Sequence, residues 1–211
     1  MTVVEPDIQN LPAKDLLAWA ASQHAPDRLG LACSFQKEEA VLIDMLLQVE
    51  PQARIFTLDT GVLFPETYAN WQAIEQRYGI TVEAFRGEWI DGLWATEPDR
   101  CCALRKVEPL NRALATLDCW ITGLRREQSP TRAEAPKVEW DAKHGLWKLN
   151  PLADWTDKDV WRYVMERDLP YNKLHDQDYA SIGCTHCTLP GAGREGRWAG
   201  RDKTECGLHI G

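Results

Sequence analysis

Apolar and polar positions alternate between two periods along the first two thirds of the chain. Residues 29–34 form a short apolar run that reads as a buried strand, and Val41, Leu42, Met45 and Leu46 then recur as one face of a helix. Residues 54–58 predict a second strand, 65–78 a helix and 81–85 a third strand. Residues 107–117 carry Leu110, Leu114 and Leu117 at helical spacing, and 119–123 predict a fourth strand. This alternation predicts an α/β fold, a mostly parallel sheet flanked by helices on both faces. Ligands of such sheets bind beyond the carboxyl ends of the strands. That edge holds residues 34–39, 59–61 and 123–126.

The last third is less regular. Residues 137–140 and 146–149, separated by a turn at His144 and Gly145, predict a hairpin. Thr156 is placed to cap a helix running to about Arg167, with Asp157 and Asp159 favourable in its first turn, and Pro170 stops it. Six glycines fall between Pro190 and Gly211, so 190–211 is expected to be a loop-like, flexible tail until a ligand orders it. No repeat, low-complexity tract or linker divides the chain, which predicts one domain over residues 1–211. Most of the ten tryptophans, among them Trp19, Trp71 and Trp161, sit in amphipathic stretches and are expected in the core. Trp198, between Arg197 and the glycine-rich tail, is the exception.

Charge narrows the range of partners. With 24 Lys and Arg against 32 Asp and Glu the net charge is −8, which argues against general binding to nucleic acid or a membrane surface. No apolar run approaches the ~20 residues of a membrane span. Residues 1–10 carry two acids and no basic region, unlike a signal peptide, so a cytoplasmic location is expected. Seven cysteines, an odd number, in a reducing compartment do not suggest a disulfide framework. Cys33 and Cys119 lie in apolar segments and read as small buried hydrophobes. Cys101, Cys102, Cys184, Cys187 and Cys206 lie among Gly, Arg, Thr and His, which points to chemistry.

The adjacent pair Cys101-Cys102 and the C-x-x-C pair Cys184-Thr185-His186-Cys187 suit either zinc or an iron–sulfur cluster. Neighbouring side chains diverge too sharply to chelate one small ion but can reach separate corners of a cubane, which favours [4Fe–4S]. Lys106 follows Cys102 by four residues; if Cys102 begins a helix, the ammonium shares its face. Residues 34–39 join a strand to a helix, where free backbone N–H groups and Ser34 bind anions. Arg125 and Arg126 face the same edge, and Arg194 and Arg197 lie in the tail, so the ligand expected is a small anion. Cys206 stands five residues from the end; Glu205 opposes its ionisation, so a nucleophilic thiolate there needs His209 or arginines met on docking.

With these residues in view, the chain resembles the phosphoadenylyl/adenylyl-sulfate reductase family of sulfate assimilation from about residue 31 to 209. The most specific matches are the four cysteines, Glu205-Cys206-Gly207-Leu208-His209, and Leu58-Asp59-Thr60-Gly61 with Phe64-Pro65-Glu66-Thr67-Tyr68. The resemblance implies an adenine nucleotide alpha-hydrolase-like fold, related to the ATP pyrophosphatases, with an altered loop at 34–39. The four-cysteine form resembles the adenylyl-sulfate (APS) reductases, which implies one [4Fe–4S] cluster per chain, held by Cys101, Cys102, Cys184 and Cys187. It further implies that Cys206 attacks the sulfur of APS, expels AMP and forms an S-sulfonate, from which an external thioredoxin or glutaredoxin releases sulfite. Ser34, Lys106, Arg194 and Arg197 are then expected to hold the phosphosulfate, Leu58 and Gly123 to meet the nucleotide through backbone, and Arg132 to reach the adenosine or phosphate side. A homo-oligomer is left open. The alternatives are a reductase of the 3′-phosphorylated substrate (PAPS), an ATP-pyrophosphatase-type adenylating enzyme, disfavoured by the glycine-poor loop, and a non-catalytic iron–sulfur or zinc redox sensor.

Overall fold

A computed structural model describes residues 7–200 and Leu208. Its centre is a six-stranded sheet in the order β3-β2-β1-β4-β6-β5, formed by β1 (Leu29–Ala32), β2 (Arg54–Leu58), β3 (Glu83–Phe85), β4 (Cys119–Ile121), β5 (Val138–Asp141) and β6 (Leu146–Leu149). Every pairing is parallel except that of β5 with β6, the expected hairpin, which leaves β5 as an antiparallel edge. The observed strands β1 and β4 stop two residues short of their predicted carboxyl ends, where the loops begin, and β3 starts two residues later than predicted, at Glu83.

The two-residue period of the strands sorts the core into two layers. Leu29, Leu31, Cys119 and Ile121 face one side, packed with α1 (Ala13–Gln23), α2 (Lys37–Val49), α3 (Pro65–Tyr78) and α7 (Asp157–Glu166). Phe56 and Trp120 face the other, against Leu110, Ala113 and Leu114 of α6 (Glu108–Leu114). A Cβ on Gly30 would lie 2.6 Å from Leu117, so glycine lets that second layer approach the sheet. Thr156 caps α7 as expected: its Oγ1 accepts from the Asp159 N–H at 3.1 Å, and Asp159 Oδ2 accepts from the Thr156 N–H at 3.0 Å.

The region after β3 departs from the sequence expectation. Two short helices, α4 (Leu93–Thr96) and α5 (Pro98–Cys102), precede a π-helical turn at Ala103–Val107, and only then does α6 begin. Cys102 therefore ends a helix rather than starting one, and Lys106 lies within the widened turn that follows. Such turns concentrate at functional sites. Among the described residues no helix is long and apolar enough to cross a membrane.

Candidate active site

The strand order places β1 and β4 side by side where successive connections leave in opposite directions, the crevice at which open α/β sheets take ligands. A cavity of about 410 Å³ opens there. Ser34, Leu58, Lys106, Gly123, Arg132, Arg194 and Arg197 all contribute to its wall. One side is apolar, built from Ala32, Phe56, Leu110 and Trp120, and Leu208 also reaches it. Cys206 and His209 lie outside the described residues.

The loop from β1 to α2 is strained and pinned. Phe35 has φ of 58°, held by the Asn70 amide, which donates to its carbonyl at 3.0 Å, and by stacking on Trp71 at 5.1 Å. Gln36 Nε2 donates to Ser34 Oγ at 2.9 Å, while Gln36 Oε1 accepts from the Ile182 N–H at 2.8 Å and ties the loop to the segment before Cys184. The helix start is not the open set of N–H groups read from sequence. Glu39 Oε2 accepts from the Gln36 N–H at 3.1 Å, so one anion-binding donor is already taken by the protein's own carboxylate.

Glu38 and Glu39 are both buried in the cavity wall. Burial, then repulsion from Glu38, raises the Glu39 carboxyl to about 7. A Cβ on Gly123 would come within 2.6 Å of Glu39 Oε1, so only glycine lets the loop after β4 lie against these carboxylates. Arg125, expected to face an anionic ligand, is instead committed to its own chain. It meets Glu38 at 2.9 Å, Asp157 at 2.9 Å and Glu127 at 3.0 Å. Its partner Asp157 also takes Lys37 at 2.6 Å. Arg126 is exposed and donates to the Ala135 carbonyl at 2.8 Å. Neither guanidinium is the free cation that its place in the sequence suggests.

Arg197 is a different case. It is buried against Gly183, faces the Trp198 ring at 4.6 Å, and donates to Ser181 Oγ at 3.3 Å and the Ile182 carbonyl at 3.2 Å. Its Nε is buried against Gly183 without a hydrogen-bond partner among the described residues. The chain here is a loop fastened by the Leu189 N–H to Gly196 carbonyl bond (2.9 Å) and the Trp198 N–H to Cys187 carbonyl bond (2.9 Å).

Beside the main cavity lies a second, about 20 Å³ in volume, walled by Cys101, Cys102, Cys184 and Cys187 together with Arg105, Lys106, Trp94, His186 and Trp198. Lys106 belongs to both walls. Cys101, Cys102 and Cys184 are buried and Cys187 is half-buried, and none of them is in a disulfide. Burial pushes the Cys184 thiol up, yet the Lys106 cation, the Thr60 hydroxyl at 3.3 Å and the Arg197 and Arg105 guanidiniums together bring it below its ordinary value. Cys187 is raised, by burial and then by the neighbouring thiols.

The residues fit a sulfur-bound group. Four of the wall residues are cysteines, and Arg105 Nε and Nη1 are buried in the same wall without partners among the described residues. Among those residues no three potential ligands converge tightly enough to hold a single ion. Sequence reading missed Glu38, Asp157 and Gln128 as parts of the site. Acids in a first helical turn look like ordinary dipole partners, and nothing local marks Glu38 as buried or Asp157 as the partner of a distant arginine.

Comparison with known proteins sets this geometry beside others. The family model described as the phosphoadenosine phosphosulfate reductase domain matches residues 28–190. An adenosine 5′-phosphosulfate reductase of Geobacillus kaustophilus (strain HTA426) is 46% identical, covering 97% of this chain and 92% of its own. A phosphoadenosine 5′-phosphosulfate reductase of Gloeobacter violaceus (strain ATCC 29082 / PCC 7421) is 48% identical over 87% of this chain and 83% of its own. The crystal structure of a phosphoadenylyl-sulfate reductase from Candida auris, in a phosphate complex, is similar with a TM-score of 0.78 at 28% identity, over 87% of this chain and 93% of that one.

Proposed function

Because this chain belongs to the phosphoadenosine phosphosulfate reductase family, we propose that it reduces adenylyl sulfate to sulfite and AMP in assimilatory sulfate reduction, with an external thioredoxin or glutaredoxin as donor. One observation carries the reading: a cavity of nucleotide size lined by Lys106, Arg132, Arg194 and Arg197 shares Lys106 with a pocket walled by four cysteines.

Ser34, Lys106, Arg194 and Arg197 hold the phosphosulfate, Leu58 and Gly123 meet the nucleotide through backbone, and Arg132 binds on the adenosine or phosphate side. The Cys206 thiolate bonds to the sulfur of APS. The bond from that sulfur to the bridging oxygen breaks, its electron pair stays with AMP, and Cys206 carries an S-sulfonate. A donor thiolate then bonds to the Cys206 sulfur and sulfite leaves with the electron pair of the broken S–S bond. The donor's second thiolate frees Cys206 and closes the donor disulfide. Two electrons thus pass from the dithiol to the sulfate sulfur. His209 or the arginines favour the thiolate of Cys206, and Leu208, two positions away, reaches the cavity wall.

The chain acts as one domain, residues 1–211, with 190–211 as its catalytic tail, in a cytoplasmic compartment that keeps its thiols reduced. The four cysteines hold one [4Fe–4S] cluster. Four cysteine sulfurs around one space, two of them on adjacent residues, suit the separate irons of a cluster. Bound there, the cluster supplies a fixed charge beside Lys106.

The names of the relatives divide between the two sulfonucleotides, so the test uses both. Wild-type protein mixed with APS, without thiol donor, is expected to release AMP stoichiometrically and to gain the mass of one SO₃ on Cys206. Cys206→Ser is expected to bind AMP but form no adduct and no sulfite. An adduct on Cys33 or Cys119, or sulfite from the Ser variant, overturns the mechanism. Turnover on PAPS equal to or above that on APS reassigns the substrate.

A further inference from the structure

We propose that Gln128 is the positioning residue that sets Arg132 in the nucleotide cavity, an inference resting on the functional reading above. Gln128 ends a one-turn segment, Arg126–Gln128, and is half-buried beside the loop that follows β4. A primary amide has two N–H donors and a carbonyl oxygen with two lone pairs. All four directions are used here. Its Oε1 accepts from Arg132 Nη1 at 2.5 Å and from the Arg125 backbone N–H at 3.1 Å. Its Nε2 donates to the Gly123 carbonyl at 3.2 Å and to Glu38 Oε1 at 3.2 Å.

The partners also fix which way the amide points. Exchanging its oxygen and nitrogen would set N–H groups against a guanidinium and a peptide N–H, and a carbonyl against a carboxylate. The amide cannot turn to follow a displaced Arg132 without giving up bonds to Gly123 or Glu38. Glu38 is itself held by Arg125 at 2.9 Å, which reaches Asp157 on α7 at 2.9 Å. One side chain therefore fixes Arg132 and the Gly123 carbonyl, two groups in the cavity wall, to the same buried ionic frame. Gln128 is itself in the cavity wall, but with every hydrogen-bonding direction occupied it has no polar direction left for the ligand and acts through Arg132.

The test is a double-mutant cycle on the full chain, read by calorimetric titration with AMP. Gln128→Met keeps the length of the side chain and removes both polar atoms. It and Arg132→Ala are each expected to weaken AMP binding roughly tenfold. The double variant is expected to stay within about threefold of Arg132→Ala alone, because Gln128 acts through that arginine. Gln128→Met combined with Arg194→Ala, on another segment of the wall, is expected to give multiplied losses. Gln128→Asn, one methylene short of Arg132, poses the same question if the Met variant does not fold. Multiplied losses with Arg132→Ala, or AMP binding by Gln128→Met and Gln128→Asn equal to wild type while Arg132→Ala weakens it, overturn this inference alone. Wild-type protein that does not bind AMP overturns the functional reading and this inference with it.

Discussion

Glu39 carries the least ordinary titration in the cavity. An unfolded glutamate ionises near 4.5, whereas burial and Glu38 hold this one at about 7. Between those values the folded state binds the extra proton, so the contribution of Glu39 to stability is full below 4.5 and is lost as pH rises through about 7. The loss is on the order of 3 kcal/mol. Glu39→Gln keeps an acceptor for the Gln36 N–H and removes the titration. Urea unfolding at pH 5 and pH 8 is expected to show a larger fall in stability for wild type than for Glu39→Gln. Equal falls in the two proteins would show that the carboxyl is not held protonated by the fold.

Among the elements, the π-helical turn at Ala103–Val107 sets the relation between the two cavities, because Cys101 and Cys102 precede it and Lys106 lies within it. Its neighbour is Gly87, two residues past the end of β3. A Cβ there would stand 1.9 Å from the Leu104 carbonyl oxygen and 2.9 Å from Arg105 Cα, both backbone atoms that cannot rotate aside. Gly87→Ala is therefore expected to displace the turn, costing about 1–3 kcal/mol in overpacking. A lowered melting temperature together with reduced iron per chain checks this. A variant with the melting temperature and iron content of wild type would mean that the segment at Gly87 simply moves away. The helix expected over 107–117 was legible from its leucines, but the turn before it was not. Periodicity reports which face is apolar, whereas the widened turn depends on the backbone packed against it.

For the whole molecule, an acidic chain of net charge −8 gathers Lys106, Arg132, Arg194 and Arg197 around one cavity. Four cysteines from two distant stretches wall the neighbouring one. Protein purified without oxygen is expected to be brown, with about four irons and four labile sulfides per chain, and Cys184→Ser to lose both iron and turnover. A colourless, fully active protein with one zinc would exclude the cluster.

The sequence by itself determined the strand order along the chain, the helices that follow β1 and β2, the hairpin, the Thr156 cap and the inventory of thiols. Each of these follows from spacing within a few residues: alternation in strands, the 3.6-residue repeat in helices, a hydroxyl at a helix start. It also placed the loops at one edge of the sheet, since parallel strands carry their carboxyl ends together. Only the tertiary structure decided how the charges pair. Arg125 reads as a ligand-facing cation in the sequence, yet it is neutralised by Glu38, 87 positions away, and by Asp157, 32 positions away. The Gln128–Glu38 bond spans 90 positions. The strength of such bonds depends on burial and on the partners that folding brings within 3 Å or so. Neither is a property of the local sequence, so which arginine stays available to a ligand is settled only when the loops after β1 and β4 meet.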